Sequence, residues 1–296
     1  MSVRFGRKAL RWLAFAALVA GVLIVVGGVL VRVTGSGLGC PEWPRCTADS
    51  FGATAETGRH GVIEFANRLV TTGLCVIVGL LFVVARWQVR PVPEVVRWVW
   101  VQVGIVGLNA VVGGVTVLAR LSPYVVAAHF LAAVLLLTAA TVTWDRVLRL
   151  DTPGGAAVST RLRALGRVLI AATAALTMVG AVVTGTGPHA GDSARVTRMP
   201  LPWTATVVAH GLLAALVLGT VLAMRYAAEP GTAVRERATI LVLVLAGQGG
   251  LGVVQAFAHL PGPLVFAHVA VSALLWIGAV RLYLDTNEPV RVGAGR

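Results

Sequence analysis

The chain has 296 residues, of which 57% are hydrophobic and 12% charged, and its mean hydropathy is +0.85. Those values exclude an ordinary soluble domain and make lipid the main solvent. The net charge of +13 does not mark a nucleic-acid binder, because the basic residues are scattered over short loops rather than gathered on a face with interleaved aromatics.

Eight apolar runs of about 20 residues, each long enough to cross the hydrocarbon core, predict eight membrane-spanning segments. They cover 10–31, 62–85, 96–118, 124–145, 165–185, 202–224, 237–257 and 263–284. A spanning segment must satisfy its own backbone hydrogen bonds, and these runs are too long and too little alternating for barrel strands, so helices are expected. Eighteen Lys and Arg residues lie before the first run, in the even-to-odd connections and after the last run, counting those at the adjoining ends of the runs. Only Arg32, Arg45, Arg59, Arg120, Arg195 and Arg198 lie in the alternate segments, and Arg68 falls inside the second run. This asymmetry predicts cytoplasmic N- and C-termini.

The first run opens on a basic stretch, Arg4, Arg7, Lys8 and Arg11, and continues into Val31-Arg32-Val33-Thr34-Gly35 without a small-residue cleavage pattern. It is expected to be a retained helix, not a signal peptide. The first outer loop carries Cys40 and Cys46. An oxidising outer face favours a disulfide between them, with two free thiols as the alternative, while Cys75 in the second run is expected to pack there.

The second run holds Glu64, Asn67 and Arg68, with His60 one turn before Glu64. Glu64 and Arg68, at i and i+4, read either as a structural ion pair or as a carboxylate lining a cavity, where it handles protons or stabilises positive charge. Gly104, Gly107, Gly113 and Gly114 in the third run, like Gly247, Gly249, Gly250 and Gly252 in the seventh, would permit close helix packing or the approach of a flat ligand. His129 lies in the fourth run, and a polar linker over 146–164 with an Asp151-Thr152-Pro153-Gly154-Gly155 break follows it. The sixth run contains His210 and the eighth His268. His60, His189 and His259 fall at interfaces or in outer loops, where a solvated ring is expected. Trp12, Trp43, Trp98, Trp100, Trp203 and Trp276 are read mostly as interfacial anchors near helix ends.

The two halves of the chain resemble each other. Val33-Thr34-Gly35-Ser36-Gly37 after the first run recurs as Val183-Thr184-Gly185-Thr186-Gly187 after the fifth. Gly113-Gly114 before Ala128-His129 parallels Gly249-Gly250 before Ala267-His268, and Asn67-Arg68-Leu69 stands where the second half has His210-Gly211-Leu212. An even number of helices per half implies a parallel duplication about an axis along the membrane normal. The expected architecture is therefore an all-α integral membrane protein of eight transmembrane helices in two duplicated four-helix bundles, over 1–147 and 165–296, joined by a cytoplasmic linker at 148–164.

His210 and His268 are predicted at similar depth on neighbouring helices, an arrangement that suits the two axial positions of a haem iron; polar bridges between helices are the plainer alternative. The first half offers His129 but only Asn67 opposite it, and a carboxamide is a poor iron ligand. An electron-transfer centre beside a substrate site is the expected division.

Taken together, Thr34-Gly35-Ser36-Gly37-Leu38-Gly39-Cys40-Pro41-Glu42-Trp43-Pro44-Arg45-Cys46, the Glu64-x-x-Asn67-Arg68 stretch and the histidines at 129, 210 and 268 resemble the haem A synthases, the CtaA family of cytochrome oxidase assembly proteins. The likeness covers nearly the whole chain. It implies an eight-helix duplicated bundle in the plasma membrane that oxidises a methyl group of haem O to the formyl group of haem A by successive hydroxylation, with haem b as cofactor. Haem O synthase and cytochrome oxidase assembly factors are the implied partners. By position, His210 and His268 resemble the haem b ligands, His129 a ligand in the substrate-haem half, Glu64 the catalytic acidic residue, and Cys40 with Cys46 the outer-loop cysteine pair. The family motif on the second helix is Glu-x-x-His-Arg, and Asn67 stands where that histidine belongs. His129 alone is the preferred holder of the substrate haem iron, with Asn67 and Arg68 beside it; His60 is the alternative and lies about two turns too near the surface. A cytochrome b-type electron carrier and a haem chaperone are the competing functions. The first would predict histidine pairs in both halves, and the second no buried acid.

Overall fold

A computed structural model describes residues 5–151, 158–189, 191–192 and 196–287. Arg4, Arg195, Arg291 and Arg296 of the topology count, and residues 152–155 of the linker break, lie outside these. Eight helices follow one another: α1 (Arg7–Val33), α2 (Gly58–Arg86), α3 (Pro93–Leu118), α4 (Pro123–Arg149), α5 (Thr160–Thr186), α6 (Trp203–Ala227), α7 (Ala233–Phe257) and α8 (Gly262–Asn287). All eight are long and apolar enough to cross a membrane, and the chain is a multi-pass membrane protein.

Each helix outruns its apolar core by a few residues because local signals set the ends. Pro93 and Pro123 start α3 and α4, where a missing N–H costs nothing. Ser159 and Thr232 cap α5 and α7 by accepting from the Leu162 and Arg235 backbone N–H groups. Two consequences correct the expected boundaries: α2 begins early enough to put His60 on its first turn, and α4 carries Arg146 and Arg149 out of the linker into the helix.

Within the first four helices α1 packs on α2 and α4, and α3 on α2 and α4; α5 to α8 pack in the corresponding cycle. One apolar core, including Leu10, Leu74, Leu81, Val99 and Leu136, fills the first group, and another, including Leu169, Val217, Val221, Met224 and Leu282, fills the second. A third cluster joins them along α1, α4 and α8 through Leu18, Val25, Ala133, Leu137, Ala140, Ala273 and Val280, whose small members let the helices approach. Trp276 belongs to this seam: it is buried and its Nε1 donates to Thr138 Oγ1 at 2.8 Å, so it is an interhelical bolt and not an interfacial anchor. Cys75 corrects another expectation, since it faces outward from α2 instead of packing inside.

The α3–α4 and α7–α8 turns share one backbone recipe. Arg120-Leu121 and His259-Leu260 are paired left-handed residues with φ of 50–60°, and each turn closes with a bond back five residues, Leu121 N–H to Thr116 O and Leu260 N–H to Gln255 O. Counting from these turns aligns Gly113 with Gly252. The Gly113–Gly249 pairing expected from sequence is therefore out by three residues, close to one helical turn.

At the end of the molecule away from these turns, Asp285 of α8 accepts from Arg149 of α4 at 2.9 Å and from Arg237 of α7, while Arg149 also pairs with Asp145. Replacing Asp285 by alanine leaves two guanidinium groups without their shared carboxylate. We expect a loss of about 2–3 kcal/mol, less than for a fully buried pair because Arg237 keeps some solvent, read as a lower melting temperature in detergent.

Candidate haem-type site and outer-loop clamp

His210 lies seven residues into α6 and His268 six residues into α8, so both rings sit at similar depth. Their ring centroids are 6.4 Å apart with the planes inclined by 55°. Each ring turns its Nδ1 edge toward a glycine on the preceding helix. A Cβ on Gly180 of α5 would stand 3.1 Å from His210 Cε1, and one on Gly252 of α7 would stand 3.2 Å from His268 Cε1. His129 of α4 rests in the same way on Gly113 of α3, where a Cβ would come to 2.8 Å. The fourth equivalent is Asn67 of α2, whose Oδ1 faces Gly27 of α1 so closely that a Cβ there would collide with it. Four side chains, one on each even-numbered helix, are thus seated against a glycine of the helix before.

The seating decides which atoms are left over. Among the described residues, Nδ1 of His129 and His268 and Oδ1 of Asn67 are buried without a hydrogen-bond partner, while the His210 ring faces the backbone of Leu176, one turn before Gly180 on α5. Of the glycines expected to admit a flat ligand, Gly113 and Gly252 are instead taken by imidazole edges and Gly114 by the indole of Trp43; Gly104, Gly107, Gly247, Gly249 and Gly250 border open space.

Among the described residues no three His, Cys, Asp or Glu side chains converge as a metal site. A bare ion held by two imidazoles would lack most of its coordination sphere. A metal that brings its own macrocycle needs only two axial donors, and spacing tests that fit. Metal–imidazole bonds are about 2.0–2.1 Å and a ring centroid lies roughly 1.1 Å beyond the nitrogen, so two rings across one metal have centroids about 6.3 Å apart. The observed 6.4 Å agrees, and His210 and His268 therefore fit the axial pair of one haem iron.

A second constellation lies at the N-terminal end of α2. Glu64 is buried, and both its oxygens are engaged: Oε1 pairs with Arg68 Nη2 at 2.6 Å and Oε2 accepts from the Cys40 backbone N–H at 2.7 Å. Arg68 then donates to the carbonyls of Cys40, Glu42, Pro44 and Arg45, gathering the loop around one guanidinium. Cys40 and Cys46 are joined in a disulfide inside that loop, and Trp43 lies against Gly114 of α3. Glu64, Asn67 and Arg68 share one face of α2, so the clamp and the Asn67 position are one turn apart. His60 points elsewhere. Its Nδ1 is bonded to the buried Ser36 Oγ at 3.0 Å, which ties it to the chain leaving α1. His189 bonds the Leu260 carbonyl at 2.8 Å, and His259 is exposed at its left-handed turn position.

Residues that sequence reasoning passed over include Gly27 and Gly180, Ser36, and Gln248, whose Nε2 donates to the His268 carbonyl at 2.7 Å. The constant separation of Gly113 from His129 and Gly252 from His268 was available as a signal. Gly27 and Gly180 offered none, because the loops between them and their partners differ in length.

Fold and site define a polytopic α-helical membrane protein with a paired-imidazole site and a disulfide-stapled α1–α2 loop. The chain belongs to the cytochrome oxidase assembly protein family, whose model matches residues 10–280. It is similar to proteins named heme A synthase from Staphylococcus saprophyticus subsp. saprophyticus, at 34% identity over 43% of this chain and 41% of the relative, and from Lysinibacillus sphaericus, at 35% over 48% of each. A third, from Geobacillus thermodenitrificans, is 33% identical over 45% of this chain and 43% of its own. In each case the match spans less than half the length of the relative.

Proposed function

We propose that this protein is a haem A synthase, oxidising the methyl group of haem O to the formyl group of haem A by successive hydroxylation. The observation that carries the reading is the His210–His268 pair, spaced for one iron, in a chain of this family. In this reading the second half, 165–296, holds haem b between His210 and His268. The first half, 1–147, receives haem O with His129 toward its iron and Asn67 and Arg68 beside it, and 148–164 links them on the cytoplasmic side. The charge asymmetry supports a plasma-membrane location with both termini inside and both sites toward the outer face.

When bound, haem b supplies electron transfer. The chain supplies positioning. The glycine seats take up the Nδ1 edges of the imidazoles, which in this reading leaves the distal nitrogens for the iron. Glu64, one turn from Asn67, is the group available to accept a proton or to stabilise positive charge developing at the substrate methyl. Each of its oxygens already takes one hydrogen bond, and a carboxylate has about four acceptor positions, so capacity remains. Arg68 and the Cys40–Cys46 loop keep that carboxylate in place over the first half.

The test is to purify the protein from cells that make haem O, record the reduced-minus-oxidised spectrum, and identify the extracted haems by chromatography and mass. Haem b with haem A or its hydroxylated precursor is the expected result. Haem b alone would move the assignment to an electron carrier, which the second-half pair fits equally well, and no haem at all would overturn both. Haem O synthase and oxidase assembly factors are the partners this reading implies.

A further inference from the structure

We infer that Gln248 of α7 is a positioning residue for His268, its amide oxygen being the acceptor for the Nδ1 proton of that ring when the other ring nitrogen faces the iron. This rests on the second half holding haem between His210 and His268, as proposed above. The orientation of the amide follows from its partner. Its nitrogen meets the His268 carbonyl at 2.7 Å, and a carbonyl accepts but cannot donate, so the atom facing it is the NH2 group and the other is the oxygen. That oxygen is buried and, among the described residues, has no hydrogen-bond partner; the same is true of His268 Nδ1. A neutral imidazole that gives one nitrogen to a metal carries its proton on the other. Nδ1 then becomes a donor in need of an acceptor, and Gln248 Oε1 is an acceptor in need of a donor.

Both atoms belong to one small region. Gln248 lies one turn before Gly252 on the same face of α7, a Cβ on Gly252 would stand 3.7 Å from His268 Nδ1, and the amide already rests on the backbone of His268 itself. Rotation of the amide about that contact, or one water shared by the two atoms, joins them. Two other seats have the same plan. The residue one turn before Gly180 is Leu176, whose backbone the His210 ring faces. One turn before Gly113 stands Asn109, whose Nδ2 donates to the carbonyls of Ile105 and Ala132 and whose oxygen, like Nδ1 of His129, is buried without a partner among the described residues. A mere bridge between helices needs only the donor half of the amide, and a stranded buried oxygen costs about 1–3 kcal/mol. An acceptor on the inner nitrogen fixes the ring's tautomer and makes it a more basic ligand, which favours ferric over ferrous iron.

The test is a redox titration of the low-spin haem spectrum in the purified protein. Gln248→Leu, similar in size but without the acceptor, should move the ferric–ferrous equilibrium about tenfold toward ferrous, a rise in midpoint of about 59 mV for one electron. Gln248→Glu keeps a carboxyl oxygen at the same place and should hold the midpoint or lower it. Gln102→Leu, which removes a buried amide bonded to Thr143 in the first half, should leave it unmoved. A second measurement separates a hydrogen bond from a change of local polarity. In His268→Ala the added ligands imidazole and 1-methylimidazole differ in one N–H, and the preference for imidazole in restoring the low-spin signal should fall about tenfold when Gln248→Leu is added. An unmoved midpoint in Gln248→Leu, an equal rise in Gln248→Glu, or a preference that survives the double replacement would overturn the inference and leave Gln248 as a bridge to the α8 backbone. If His268→Ala releases its haem, the midpoints of the two Gln248 variants decide alone. No low-spin haem in the unaltered protein would instead overturn the reading of the second half on which the inference rests.

Discussion

Replacing His268 by alanine should abolish the low-spin haem b spectrum and reduce haem A formation below detection, while the protein still elutes as a folded, monodisperse species. The expectation follows from how little else holds the group. In the proposed reading two imidazoles 6.4 Å apart would supply both axial bonds, and no third metal-ligating side chain converges with them among the described residues. Removing His268 would take away one of the two groups proposed to hold the haem and open a cavity where its ring was packed against Gly252. Adding imidazole to the variant should restore part of the low-spin signal, because the cavity keeps the shape of the lost ring; a merely structural histidine would show no such rescue. Gly252→Val offers an independent check. Its side chain would push into the His268 edge, so haem b should bind less tightly although both histidines remain. A full haem complement in His268→Ala would remove the paired-imidazole site from the assignment.

Glu64→Gln is expected to lower turnover by roughly 10²–10⁴-fold with haem content and the Cys40–Cys46 disulfide intact. The amide oxygen can still accept from the Cys40 N–H, so the loop keeps one of its two attachments to this side chain, but the charge and the proton-accepting capacity are gone. Glu64→Ala removes both attachments and also leaves Arg68 without its carboxylate, so it should lose turnover and loosen the loop together, read as faster reduction of the disulfide by a mild thiol. The two variants separate the roles. If Glu64→Gln works at the normal rate and only Glu64→Ala fails, Glu64 is a clamp for the α1–α2 loop and the proton acceptor must be sought elsewhere.

Both readings of Glu64 were open in the sequence, and the structure strengthens the ion-pair one without removing the other. Spacing of i and i+4 made the Arg68 contact foreseeable. That the second oxygen reaches the Cys40 backbone, and that Arg68 collects four carbonyls from the same loop, depends on where a 24-residue excursion between α1 and α2 folds back. Helical periodicity carries no information about that.

The eight spans, and the similar depth of His210 and His268, were legible because they follow from hydropathy and residue count alone. Lipid forces each apolar run to satisfy its own backbone as a helix, and a rise of about 1.5 Å per residue then sets depth. The Asn67 departure was legible for the same reason, since it is a matter of residue identity at a repeat position. Tertiary structure alone decided the glycine seats, the one-turn correction to the α3–α7 register, the burial of Trp276 against Thr138 and the capture of His60 by Ser36. Each of these depends on how one helix is rotated and shifted against another. In a membrane, where most faces of a helix are apolar, the pattern of side chains along one helix hardly constrains that choice, and only packing between small residues and the few polar partners settles it.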